Sequence, residues 1–188
     1  MGNQPSGITS NVELAVGPYG NSQGSYLFSG SHNSYIELPN NGGLDTTYSI
    51  TVLMWVYRQG SSGPIFNYRP SGTWAVHLFI ADGNLFCRFV TRNDQFTTPL
   101  VSPSVLTVGK WYYVGASYDY STGVARIWID GVEVQMLNLG AFTLATVGNV
   151  RIGVKSDDVR YFKGRIAKVQ VYNIALNMEQ IKAVKFRG

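Results

Sequence analysis

An all-β fold, an antiparallel sandwich or barrel with one short helix near the C-terminal end, is predicted for this sequence by three observations. Short apolar or alternating runs are separated by turn signals about every ten residues. The composition, with 21 Gly, 12 Tyr and only 14% charged residues, suits strands and tight turns better than helices. A helical period with start signals is confined to the last stretch.

The first strands are SYLFSG (25–30) and SYIELP (34–39), each bounded by Ser, Gly, Pro or Asn. SITVLMWVYR (49–58) follows, with apolar residues on both faces. Ile50, Val52, Met54 and Val56 form one row; Thr51, Leu53, Trp55 and Tyr57 form the other. A strand with one wet face alternates apolar with polar, so the second row also requires a cover. GPIFNY (63–68), WAVHLFI (74–80) and NLFCRFV (84–90) come next. Asp82-Gly83 joins the last two as a two-residue hairpin, since such turns need positive φ. That register sets Val76 opposite Phe89, Leu78 opposite Cys87 and Ile80 opposite Leu85. On the other face it sets His77 opposite Arg88 and Phe79 opposite Phe86.

KWYYVGASYD (110–119), GVARIWID (123–130) and VEVQML (132–137) make the next three strands, the last two joined at Asp130-Gly131. That second hairpin sets Ile129 opposite Val132 and Ile127 opposite Val134. NVRIGV (149–154) and RIAKVQVYN (165–173) complete the strands. The helix is predicted over 178–184. Asn177 is its N-cap, Gln180 completes a capping box, and Leu176 with Ile181 forms a hydrophobic staple.

The 188 residues suit one domain, and no apolar run approaches the ~20 residues of a membrane helix, so no transmembrane segment is expected in this chain. The domain is placed at 9–188, after a flexible leader at 1–8. The opening MGNQPS has no apolar core of a signal peptide but fits a short myristoylation pattern at Gly2, interrupted by Pro5. A single cysteine, Cys87, excludes an internal disulfide and reads as a small buried hydrophobe. Nine of the 15 Lys and Arg lie in residues 151–188, against Asp157, Asp158 and Glu179, and the net charge is +4. A basic end fits an anionic partner or a solvated face.

Catalytic chemistry is thin in this chain. His32 and His77 are not near a nucleophile motif. Metal-ligand spacings such as C-x-x-C are missing, and the Asp157-Asp158 doublet is flanked by Lys155 and Arg160, so it reads as a surface turn. Glu13, Glu37, Glu133 and Glu179 are far apart, so the paired carboxylates of a glycoside hydrolase have no local signature. The mixture VRYFKGRIAK matches no nucleic-acid module, and no nucleic-acid partner is expected.

Taken in order, several stretches resemble laminin-G-like domains of the concanavalin A-like lectin and glucanase superfamily, to which pentraxins also belong. GSYLFSGSHNSYIELP with YSITVLMWVYR resembles the opening of such a domain. GKWYYVGASYDYSTGVARIWIDGVEV is similar to its centre, and VRIG with FKGRIAKVQVYNIALNMEQI to its close. The similarity spans about residues 20 to 186. It implies a jelly roll of two curved antiparallel sheets, with SYLFSG beside GRIAKVQVY. The row Ile50, Val52, Met54, Val56 would face the core. Trp55 and Tyr57 would lie on a concave outer face, partly covered by loops.

Two departures bear on calcium. The acid that often helps hold a structural Ca²⁺ in such domains is replaced at Ala167 and Lys168, and the early F-D-G is Phe28-Ser29-Gly30. Lysine repels a cation, so no cofactor is expected; the Gly30 carbonyl is the one ligand position the resemblance leaves. The glucanase Glu-x-Asp-x-x-Glu motif is also missing, so the expected function is not enzymatic.

The expectation is a recognition or adhesion module for glycans, with anionic ones among them, at the cell surface or outside it, as part of a larger protein. The alternatives are a protein-binding module and a degenerate glucanase. Candidate contacts are Arg58, Tyr68, Arg69, Trp74, His77, Arg92 and Asn93, because arginine forks suit sulfate or carboxylate and aromatics suit sugar faces. The oligomeric state is not legible in the sequence.

Overall fold

A computed structural model describes residues 6–186. Residues 1–5 of the expected leader, including the pattern at Gly2, lie outside them. The fold is a jelly-roll sandwich of two antiparallel sheets. The strands are β1 (Ile8–Ser10), β2 (Val12–Ala15), β3 (Ser25–Ser29), β4 (Tyr35–Leu38), β5 (Ile50–Arg58), β6 (Gly63–Tyr68), β7 (His77–Ala81), β8 (Asn84–Arg88), β9 (Leu100–Val105), β10 (Trp111–Asp119), β11 (Val124–Ile129), β12 (Val132–Asn138), β13 (Val150–Ile152) and β14 (Lys163–Tyr172). Helix α1 spans Met178–Val184. One sheet runs β1-β4-β13-β6-β7-β8-β9 and the other β12-β11-β10-β5-β14-β3-β2.

The core lies between the sheets. Ile50, Val52, Met54 and Val56 are all buried there, against Phe66, Leu78, Leu85, Val114 and Ile127. Burying such side chains contributes about 1.5–3 kcal/mol each. β14 lies between β5 and β3, with Val56 opposite Ile166 and Tyr26 opposite Ile166 on the other side. The end of the chain is thereby laid beside its beginning, as the resemblance implied.

The second row of β5 is covered chiefly by a helix rather than by loops. Leu53 and Trp55 pack with Tyr113, Trp128 and Ala167 beneath Leu176, Ile181 and Val184. Trp55 is 8% exposed, with Tyr19 from the 16–24 loop edge-on to it and the Lys185 ammonium 4.9 Å from its ring centre. Tyr57 is half-buried, with the Arg165 guanidinium 3.9 Å over its ring and Trp111 beside it. Asn177 caps α1 in a reciprocal capping box with Gln180, as the sequence predicts.

Three strands escape the sequence reading. β1 and β2 are short pieces at the sheet edges, and β1 begins at Ile8, the last residue of the expected leader. β9 is an edge strand that carries Pro103, a residue tolerated there because its missing N–H faces no neighbour. The Asp82-Gly83 hairpin has the predicted register from Ile80–Leu85 to His77–Arg88, though Val76 and Phe89 fall outside the strands. The Asp130-Gly131 hairpin keeps Ile129 opposite Val132, but a bulge between Ile127 and Trp128 sets Ile127 opposite Gln135 instead of Val134.

Candidate functional site

On the outer face of the first sheet, the β7–β8 hairpin presents His77, Phe79 and Ala81 beside Arg88, Phe86 and Asn84, while Leu78, Ile80, Leu85 and Cys87 face the core. The preceding loop brings Trp74, and the loop before β14 brings Arg160. Together Trp74, His77, Phe79, Ala81, Phe86, Arg88 and Arg160 enclose a pocket of about 260 Å³. The Trp74 and His77 rings are 4.4 Å apart between centres, and Phe86 stacks on His77 at 5.8 Å. Phe79 meets Trp74 edge-on at 6.2 Å.

His77 is 5% exposed, and its Nδ1 lies 2.7 Å from the Ala75 carbonyl oxygen. A carbonyl only accepts, so Nδ1 carries the proton. Burial, aided by the nearby charges of Arg88, Lys155 and Arg160, pulls the imidazole pKa down to about 4. The ring is therefore neutral near pH 7, and its Nε2 is an acceptor.

The cations around the pocket differ in how they are paired. Arg160 is held by Asp158 (Nε–Oδ1 2.8 Å, Nη2–Oδ2 2.5 Å) and lies 4.3 Å over the Phe79 ring. Lys155 is buried; it donates to the Gly72 carbonyl at 2.6 Å, meets Asp157 at 3.3 Å, and stands 4.9 Å from the Trp74 ring centre. Arg88 touches the rings of Phe86 and Phe96, and its Nε is buried without a hydrogen-bond partner.

Of the seven contact residues expected from sequence, only Trp74 and His77 line this pocket. Arg58 is buried at the end of β5, its Nε and Nη1 donating to the carbonyls of Leu106 and Gly60. It ties two turns together. Tyr68 belongs to the core and donates from its hydroxyl to the Leu44 carbonyl at 2.7 Å. Arg69 pairs with Asp94 at 2.6 Å, and Arg92 makes a two-pronged bridge to Asp45, with exposed Asn93 between Arg92 and Asp94 in sequence. These three form a separate loop cluster whose cations already hold carboxylates. Phe79, Phe86 and Arg88 were missed as contacts, although the predicted hairpin register sets them on the face of His77. Arg160 had no such signal, being far away in sequence.

The implied calcium site does not fit these residues. Gly30 sits beside Lys163, next to the Ser29–Lys163 pair at one end of the β3–β14 ladder. Ala167 lies past the Ile166–Tyr26 pair at the other end, about 16 Å away at the rise of an extended strand. Gly30 and the Ala167–Lys168 positions therefore do not converge, and no cluster of three His, Cys, Asp or Glu occurs among the described residues.

Two other concavities are present. A cleft of about 680 Å³ opens between the sheets, lined largely by apolar side chains such as Leu14, Phe28, Ile36 and Ile152. Tyr19, Asn21, Gln23, Ser25, Tyr26 and Lys168 also line it. A third, about 350 Å³, contains Asp119 and Glu133. Burial pushes the Asp119 pKa up, but hydrogen bonds from Ser121 and Thr122 outweigh it and hold the carboxyl below its usual range. Glu133 is bound by Arg126 at 2.9 Å. A glycosidase acid needs a raised pKa, and Asp119 is shifted the opposite way.

Residues 29–182 match the family model described as the concanavalin A-like lectin/glucanases superfamily. The chain belongs to that superfamily. Solved structures of similar fold include the binding domain of Paraclostridial Mosquitocidal Protein 1 (TM-score 0.77, 13% identity, 95% of this chain and 46% of that one). They also include the botulinum neurotoxin serotype D ligand binding domain in complex with N-acetylneuraminic acid (0.72, 16%, 95% and 45%). A native heptameric SAP-like pentraxin from Limulus polyphemus matches at 0.66 and 18%, over 84% of this chain and 79% of that one. This concanavalin A-like chain thus spans under half of the toxin binding domains, and at these identities the likeness is one of fold. No curated protein matches by sequence.

Proposed function

We propose that this concanavalin A-like chain is a non-catalytic recognition module that binds a saccharide in the Trp74–His77 pocket. The observation that carries the reading is an aromatic-walled pocket of about 260 Å³ with a neutral imidazole on its floor. Sugar rings present C–H faces that stack on aromatic π surfaces, and their hydroxyls donate to an acceptor such as Nε2. The size suits one ring, being under the ~300–1,000 Å³ of pockets for drug-sized ligands. The fold neighbour crystallised with N-acetylneuraminic acid is in keeping with this class of ligand. A module of this kind would work at a cell surface or outside the cell, within a larger adhesive protein.

A protein partner is the second reading, favoured by exposed Leu14, Val16, Tyr19 and Tyr26 near the inter-sheet cleft. A panel of neutral and acidic methyl glycosides, titrated by calorimetry, separates the two. We expect at least one glycoside to bind and W74A to weaken it by about tenfold or more, as for a buried aromatic anchor. If the wild-type chain binds none of the panel, the saccharide reading falls and the protein reading stands.

A further inference from the structure

We infer that the pocket selects a sugar that bears a carboxylate, held by Arg88. This deepens the saccharide reading and rests on it. Every other cation bordering the pocket already has an anion: Arg160 has Asp158 and Lys155 has Asp157. Arg88 has none. No ion pair among the described residues includes it, its Nε is buried without an acceptor, and its guanidinium lies over the rings of Phe86 and Phe96. A buried donor without a partner is costly, and an arginine fork is shaped for two carboxylate oxygens.

The surroundings favour the same ligand. His77 is held neutral in part by the positive field of Arg88, Lys155 and Arg160, so an anion enters a site of net positive potential. No Asp or Glu lines the pocket to repel it. The ring of the sugar would lie against Trp74, a hydroxyl would donate to Nε2 of His77, and the carboxylate would receive the hydrogen bonds of Arg88. The carboxylate can come from a hexuronate or from a nonulosonate such as N-acetylneuraminate. Both offer the same group to Arg88 and differ in bulk.

The test titrates the chain with methyl β-D-glucuronide, its methyl ester, methyl β-D-glucoside and the methyl α-glycoside of N-acetylneuraminic acid, followed by NMR and calorimetry. We expect one of the acids to bind about ten- to a hundredfold more tightly than the neutral sugars, the worth of a charge-assisted pair. Which acid binds identifies the source. R88Q should erase the difference between acid and ester, and R88K, which keeps the charge but loses the fork, should retain part of it. R88K also guards against R88Q failing to fold. Equal binding of acid, ester and glucoside, all lost in W74A, would overturn the carboxylate proposal and leave the saccharide reading intact. No binding by any sugar removes both. Arg88-dependent binding of a glutamate-containing peptide, without any sugar binding, overturns both in favour of a protein ligand.

Discussion

His77 binds a proton far less readily folded than unfolded, because folding buries its ring and sets it beside the charges of Arg88, Lys155 and Arg160, which together outweigh the opposing hydrogen bond to the Ala75 carbonyl. The sign follows from linkage. Between pH 6.5, the ordinary imidazole value, and about 4, the folded value, the unfolded chain takes up a proton that the folded chain refuses. The stability from neutral His77 is complete above 6.5 and is lost as pH falls towards 4, by roughly 3 kcal/mol at full extent. Carboxylates with lowered pKa, such as Asp45 beside Arg92, add their own loss only further down, as pH falls through the carboxylate range. Urea unfolding of the wild type and H77Q at pH 7 and pH 4.5 separates the two effects. The wild type should lose most of this increment and H77Q little of it; equal losses would place the His77 ring in water. The same residue shows how much of the site can be read before folding. His77 opposite Arg88 and Phe79 opposite Phe86 follow from an Asp-Gly turn and a period of two. That Arg88 lacks an acid while Arg58, Arg69 and Arg92 have carbonyls or carboxylates is decided by loops joined only in the folded chain.

At the scale of the element, α1 shows the same division between local and distant causes. Its start, cap and staple were legible, since Asn177, Gln180, Leu176 and Ile181 act within one turn of each other. Its target was not, because nothing local in ITVLMWVYR says that a helix about 120 residues later will cover Leu53 and Trp55. The bulge after Ile127 and the edge strand with Pro103 were hidden for a related reason. Both depart from strict alternation where the sheet tolerates it. A helix of seven residues is too short to be stable alone, so docking, not propensity, must hold it. N177A should therefore cost only about 1 kcal/mol, whereas I181A, which empties a fully buried site, should cost about 2–5 kcal/mol. I181A should also shift Trp fluorescence to the red as Trp55 gains water. If N177A proved the more damaging, the helix would be standing on its cap rather than on the sheet.

The whole molecule is held together by contacts between distant parts of the chain. β5 and β14 lie side by side at the centre of one sheet, yet Val56 meets Ile166 and Tyr57 meets Arg165 across more than a hundred intervening residues. Closing so large a loop costs chain entropy before any burial offsets it, and sandwiches dominated by such pairs fold in milliseconds to seconds. Two consequences can be measured. Stopped-flow refolding, followed by Trp fluorescence, should relax on the millisecond-to-second scale, not in microseconds. A chain ending at Tyr161 should show no cooperative unfolding, because it lacks Ile166 from the core and leaves β3 and β5 without the strand that joins them. A chain ending at Ile174 keeps β14 and loses α1, the three residues before it and the residues beyond it. It should fold, at lower urea midpoint, with Trp55 wet and an apolar dye bound over Leu53 and Tyr113. Cooperative unfolding of the shorter chain would mean that the strands before β14 nucleate and hold by themselves. The central ladder would then be a late addition and not the keystone that its position in the sheet implies.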